Sequence, residues 1–284
     1  MRVLELSLIG IFLFGIGYAV LSSNGFLVSN ESMGGSGNFL GASQELVSKG
    51  EAPELTGIED WINSAPLSID SLKGKVVLVD FWTYTCINCI RTLPHLVNWY
   101  EKYRDNGFVI LGVHTPEFEF EKEKSNILAA IAKHDINYPV AMDNNYSTWT
   151  AYENRYWPAH YLIDAKGNIR YTHFGEGRYA QTEGAIQKLL LEAGLLSLDK
   201  VIKEDQVFVE TDFNKIGTPE IYLGVSRINN IGNDITGVKV NEPHEFTFPS
   251  MPLFNQFYFN GLWTIASEFS ELKGDTGGIQ LRYR

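Results

Sequence analysis

The stretch that most constrains this chain is "KGKVVLVDFWTYTCINCIRTLPHLVNWY", residues 73 to 100. A glycine turn leads into a near-continuous apolar, β-branched run, the pattern of a central strand buried on both faces. After two cysteines, Leu93, Leu96, Val97 and Tyr100 fall at i, i+3, i+4 and i+7, a helical stripe that ends before Gly107. A buried strand feeding a helix belongs to an α/β layer.

The next segments keep that alternation. "FVILGVHT" (108 to 115) reads as a second buried strand, and "FEKEKSNILAAIAKHDI" (120 to 136) as one amphipathic helix. "YPVAMD" reads as a short strand and "STWTAYENRY" as a short helix. "AHYLIDAKGNIRYTHFG" (159 to 175) predicts a hairpin turning at Ala165 to Asn168, and "AQTEGAIQKLLLEAG" a closing helix stopped by Gly194. Beyond about residue 205 the texture changes to short aromatic and β-branched runs: "QVFVE", "EIYLGV", "HEFTFP", "NQFYFNGLWTIASEF" and "GIQLRYR". These predict a separate all-β, sandwich-like module over 205–284, expected to be incomplete because the sequence ends inside a strand-like run.

At the other end, Leu6 to Leu21 carries no charge and approaches the roughly 20 residues that cross a bilayer. Arg2 precedes it and the next basic residue is Lys49, a charge bias that puts the rest of the chain outside the cytoplasm. Residues 1–22 are therefore expected to be a membrane anchor or a signal segment, and the Gly, Ser and Asn-rich residues 23–50 a flexible linker. The α/β unit is expected over 51–196. A net charge of −11 argues against nucleic acid as a partner.

The chain's two cysteines, Cys86 and Cys89, are separated by Ile87 and Asn88. A disulfide that only staples so small a loop removes little unfolded-state entropy. Structural zinc needs four ligands, and the six histidines show no H-x₃₋₅-H spacing; a copper site using both thiolates and one remote histidine stays open. The third reading is redox. At the start of a helix, Cys86 meets free N–H groups and the positive end of the dipole, which stabilise a thiolate. Cys89 lies one turn further in, where it can attack a mixed disulfide, so Cys86 is the expected nucleophile and Cys89 the resolving thiol.

In this setting the stretch resembles the thioredoxin superfamily, and more narrowly its TlpA/ResA-like branch. The resemblance implies an α/β thioredoxin-like fold, a central mixed sheet flanked by helices. Asp80, six residues before Cys86, matches the buried acid that assists proton transfer at the resolving cysteine. Trp82 matches the aromatic beside the site, Pro94 the proline that kinks the active-site helix, and Pro158 the proline that is cis in these folds. Trp157 matches the residue whose backbone pairs with a substrate strand, and Thr115 to Tyr138 the insertion of the TlpA-like branch. "WTYTCINCIRTLPHL", "YWPAHYLIDAKGNIRYTHFGEGRY" and "EGAIQKLL" are most similar to DipZ-like proteins, in which a β module follows the thioredoxin-like domain. That group usually carries a multi-span electron-importing domain in front, where a single apolar run stands here.

The resemblance implies catalytic roles for Cys86, Cys89 and Asp80, substrate contacts for Trp82, Trp157 and Pro158, and a structural role for Pro94. It implies no cofactor and no metal. His95 and His160 read as satisfied core or surface histidines. Ile87 and Asn88 put no cation beside Cys86, so a potential of roughly −200 to −280 mV is expected, nearer the reducing end. The function expected is an extracytoplasmic reductase of protein disulfides, supplied by a membrane electron donor of the CcdA/DsbD type, as in cytochrome c maturation. Two rivals remain. One is a redoxin-type thiol peroxidase, suggested by Thr83 three residues before Cys86. The other is a glycan- or protein-binding protein acting through the β module, where Tyr222, Phe257, Tyr258 and Trp263 could stack on a sugar.

Overall fold

A computed structural model describes residues 46–197 and 216–283. The expected anchor, most of the linker and the "QVFVE" run lie outside the described residues. Among the described residues, no helix is long and apolar enough to cross a membrane.

The first unit is built on a six-stranded sheet of order β1-β4-β3-β2-β5-β6. In chain order the strands are β1 (Asp60–Ile62), β2 (Val76–Trp82), β3 (Phe108–His114), β4 (Val140–Met142), β5 (Ala159–Ile163) and β6 (Ile169–Phe174). Strands β2, β3 and β4 run parallel, while β1, β5 and β6 pair antiparallel to their neighbours. The helices are α1 (Ile87–Tyr103), α2 (Lys124–Lys133), α3 (Ser147–Ala151) and α4 (Tyr179–Glu192). This is the expected mixed sheet with helices on its faces, β1 being the strand its sequence does not announce.

All seven residues of β2 are buried, and their alternation divides the core. Val76, Leu78 and Trp82 face α1 and α4, while Val77, Val79 and Phe81 face the opposite layer. Asp80 shares the first of these faces by the same period of two. Helix α1 packs there through Leu93, Leu96, Trp99 and Tyr103. Each such burial contributes about 1.5–3 kcal/mol, which offsets the backbone bond that Pro94 removes from the middle of the helix.

One helix departs from expectation. Residues 120 to 136 do not form a single helix: a 3₁₀ turn spans Glu119–Lys122, and Glu123 is extended before α2 begins. The cause is Glu121, whose carboxylate turns back to accept from the backbone N–H groups of Glu117 and Phe118 (2.5 and 3.0 Å). The side chain thus caps the turn it sits in and closes it early.

The second unit is one antiparallel sheet of β7 (Pro243–Phe246), β8 (Gln256–Ile265) and β9 (Ser270–Arg282). "EIYLGV" is not a strand, contrary to expectation. Its buried Ile221 instead joins Phe246, Phe257, Phe259, Trp263 and Ile265 in a core covered by Ile228, Ile231, Ile235 and Val238. The layer opposite the sheet is therefore made by irregular chain among the described residues.

Candidate functional site

Strand β2 ends at Trp82, and shortly after it Cys86 becomes the N-cap of α1, with extended backbone (φ −68°, ψ 113°). Its Sγ accepts from the backbone N–H of Cys89 at 3.3 Å. Both cysteines are free thiols and both are buried, Cys86 at 3% exposure and Cys89 at 1%. The helix start therefore points a backbone donor at the Cys86 sulfur. Cys89 lies behind it. Burial pushes the Cys89 thiol well above its usual range, and the neighbouring Cys86 and then the charge of Asp80 push the same way.

Asp80 is fully buried, as is Tyr138, whose hydroxyl is held protonated by burial and by the nearby Asp80 and Cys89. Across the sheet, Asp80 is paired in register with His160 of β5, and His160 with His173 of β6. His160 Nε2 lies 3.2 Å from Asp80 Oδ1, an ion-pair distance that is off the line of a good hydrogen bond. The Trp157–Pro158 peptide is cis. Pro158 is buried, and its carbonyl accepts from Gly175 N–H at 2.8 Å. Trp157 is half-buried, with its indole N–H donating to the Thr115 carbonyl at 3.0 Å and its ring 4.2 Å from that of Trp149.

Two assignments change. Trp82 has no exposed surface, and its ring meets the His114 edge at a centroid distance of 5.2 Å. A side chain sealed in the core cannot touch substrate, so Trp82 is a packing residue. In the second unit, Phe257, Tyr258 and Trp263 are buried, and Tyr222 packs against Arg227. Those rings form core and interface, not a platform for a sugar.

Behind the cysteine loop lies a polar cluster that no motif in the sequence announces. Thr85 donates to the Glu121 carboxylate, Thr83 Oγ1 sits 3.4 Å from His114 Nε2, and Tyr84 donates to the Phe120 carbonyl at 3.1 Å. Burial lowers the pKa of His114 to about 3 and raises that of Glu121. The segment 117–121 also meets the second unit. Arg227 pairs with Glu117 at 2.5 Å and lies over the Phe118 ring, and Glu119 N–H donates to Glu268 at 2.7 Å. The one sign of this cluster in the sequence is a run of three hydroxyl residues, Thr83 to Thr85, before a cysteine. Among the described residues, no group of three or more His, Cys, Asp or Glu side chains could hold a metal ion.

Known proteins share both units. Residues 50–172 match the AhpC/TSA family and residues 218–284 a thioredoxin-like C-terminal domain. Protein DipZ of Mycobacterium bovis is 42% identical over 248 residues, covering 86% of this chain and 35% of DipZ. This chain thus spans about a third of the length of that relative. The thiol-disulfide oxidoreductase YkuV of Bacillus subtilis is 31% identical over 140 residues, covering 49% of this chain and 94% of YkuV. A solution structure of a thioredoxin-like protein in its oxidized form is 30% identical, covers 50% of this chain and 96% of its own, and superposes with a TM-score of 0.47.

Proposed function

Because this chain belongs to the thioredoxin-like AhpC/TSA family, we propose that it is a thiol–disulfide oxidoreductase working through Cys86 and Cys89. The observation that carries the reading is the helix N-cap: Cys86 receives a backbone N–H, and Cys89 waits one turn behind it against Asp80. Cys86 thiolate attacks a substrate disulfide, forming a mixed disulfide and releasing one substrate thiolate. Cys89 then loses its proton to Asp80 and attacks Cys86 Sγ, forming the Cys86–Cys89 disulfide and releasing the second thiolate. The substrate gains two electrons and the dithiol loses them. A substrate segment is held at the backbone of half-buried Trp157, before the cis peptide to Pro158.

The direction proposed is reduction of protein disulfides outside the cytoplasm, on a membrane-anchored chain resupplied by a membrane electron donor of the CcdA/DsbD type, with cytochrome c maturation as one such use. The absence of a cation at Ile87 and Asn88 supports it. Equilibration with glutathione buffers tests the direction: a potential of about −200 to −280 mV is expected, and one near −120 mV would mark an oxidant instead. The peroxidase alternative loses support because the Thr83 hydroxyl is engaged by His114, on the inner side of the loop.

A further inference from the structure

The proton that Asp80 takes from Cys89 arrives in a place with no contact with solvent, since Asp80 is 0% exposed. A lone buried carboxylate is pushed toward its neutral form, in which it cannot act as a base. Something must hold Asp80 ionised and something must carry its proton out. Neither group is a thiol.

The sheet supplies one candidate row. Asp80, His160 and His173 stand side by side on adjacent strands, each the direct cross-strand neighbour of the next, on the face covered by α1 and α4. His160 is 1% exposed, and neither of its ring nitrogens has a hydrogen-bond partner; the same holds for both Asp80 oxygens. Unsatisfied groups of this kind are rare in a core and call for a reason. The rings of His160 and His173 are 6.0 Å apart, a gap that one ordered water can bridge. His173 in turn lies against the backbone of Glu176 and Gly177, beside exposed Phe174 and Arg178.

Groups on the neighbouring elements also face this row. Cys89 on α1 and Tyr138 before β4 face Asp80, His95 on α1 faces His160, and Arg178 at the start of α4 faces His173. His95 is stacked on Tyr179, with ring centroids 3.5 Å apart. Burial and the charge of His160 bring both His95 and His173 down to about 4. His160 thus sits 3.2 Å from Asp80, with the neutral imidazoles of His95 and His173 around it.

We propose that His160 is a positioning residue of the exchange site, keeping Asp80 ionised and, with His173, forming the route by which the Cys89 proton leaves the core. The proposal rests on the reading of Cys86 and Cys89 as an exchange pair. The proton passes from Cys89 Sγ to the Asp80 carboxylate; His160, when protonated, gives one of its own protons by way of His173 to solvent beside exposed Arg178, and the proton on Asp80 replaces it. No electrons move along this row, and the reverse reaction returns the proton by the same path.

The test uses the full chain and an aryl disulfide that releases one coloured thiolate at each of the two steps, followed by stopped flow. Wild type should release two equivalents; a single equivalent would overturn the exchange reading itself. In His160→Gln the first release should be unchanged. The second should slow about 10-fold at pH 7, and its pH profile should move at least about one unit to higher pH, because Asp80 then holds its proton more tightly. In an Asp80→Asn background, His160→Gln should add nothing further. His173→Gln, nearer the surface, should slow only the second release, about 3-fold or more, and decides the matter should His160→Gln lose its fold. Two equivalents from wild type, with an unshifted second release in both histidine variants, would overturn the inference and leave the exchange reading standing. So would losses from Asp80→Asn and His160→Gln that multiply.

Discussion

The pairing of β2 with β5 and that of β8 with β9 draw on similar residues, Val, Leu, Ile, Phe and Tyr, yet they bury different things. In the first, Asp80 faces His160 in the centre of the sheet, under two thiols. In the second, Phe257 faces Leu281 and Phe259 faces Ile279, and Thr218 and Thr264 are the buried polar residues among those described in that unit. Burying ionisable groups costs free energy unless they are paired, and a packed aromatic core carries no such cost. On the proposed reading, the six-stranded sheet gives up stability where the exchange would run, and the three-stranded sheet does not. The two units meet at the segment 117–121, whose other side holds Tyr84 and Thr85 beside Cys86.

If chemistry belongs to one sheet and packing to the other, substitutions in the two should have separable effects. Cys86→Ser should lower disulfide reduction by at least ~10³-fold, with the second unit's folding untouched. Asp80→Asn should cost ~10²-fold in the second thiolate release near neutral pH, leaving the first release near wild type. Phe259→Ala should do the converse: it should destabilise the second unit by about 3–5 kcal/mol in denaturant unfolding while both thiolate releases continue. An exchange rate that collapsed with it would join the two units more tightly than their contacts suggest. Arg227→Ala removes a half-exposed ion pair, so at most about 1 kcal/mol and a few-fold change in any exchange step are expected.

Much of the first unit is legible because its signals are local. The seven apolar-flanked residues of β2, the helical stripe of α1 and the hairpin β5–β6 each follow from periodicity, and the C-x-x-C spacing limits what two thiols can do. The features that stay hidden depend on contacts between distant segments. Glu121 breaks the expected 120–136 helix only because its carboxylate finds Thr85 and two backbone donors. "EIYLGV" has strand composition, yet Ile221 serves the core from irregular chain. Trp82 has a motif position that suggests a substrate contact, although its place in an all-buried strand already seals it. His160 carries a readable signal: a histidine in a strand otherwise made of Ala, Tyr, Leu and Ile, as Asp80 stands in a strand of Val, Leu, Phe and Trp. Each alone looks like a satisfied core residue, and only the sheet register brings them together.

The division of labour between the cysteines, Cys86 meeting the substrate and Cys89 resolving, is tested most directly by a pair of trapping variants. Each of Cys89→Ala and Cys86→Ala is incubated with a disulfide-containing protein, quenched in acid, and the linked cysteine identified by mass spectrometry. A stable mixed disulfide is expected on Cys86 in Cys89→Ala protein, with little or none on the buried Cys89 in Cys86→Ala protein. Equal trapping on both cysteines, or trapping on Cys89 alone, would contradict that division.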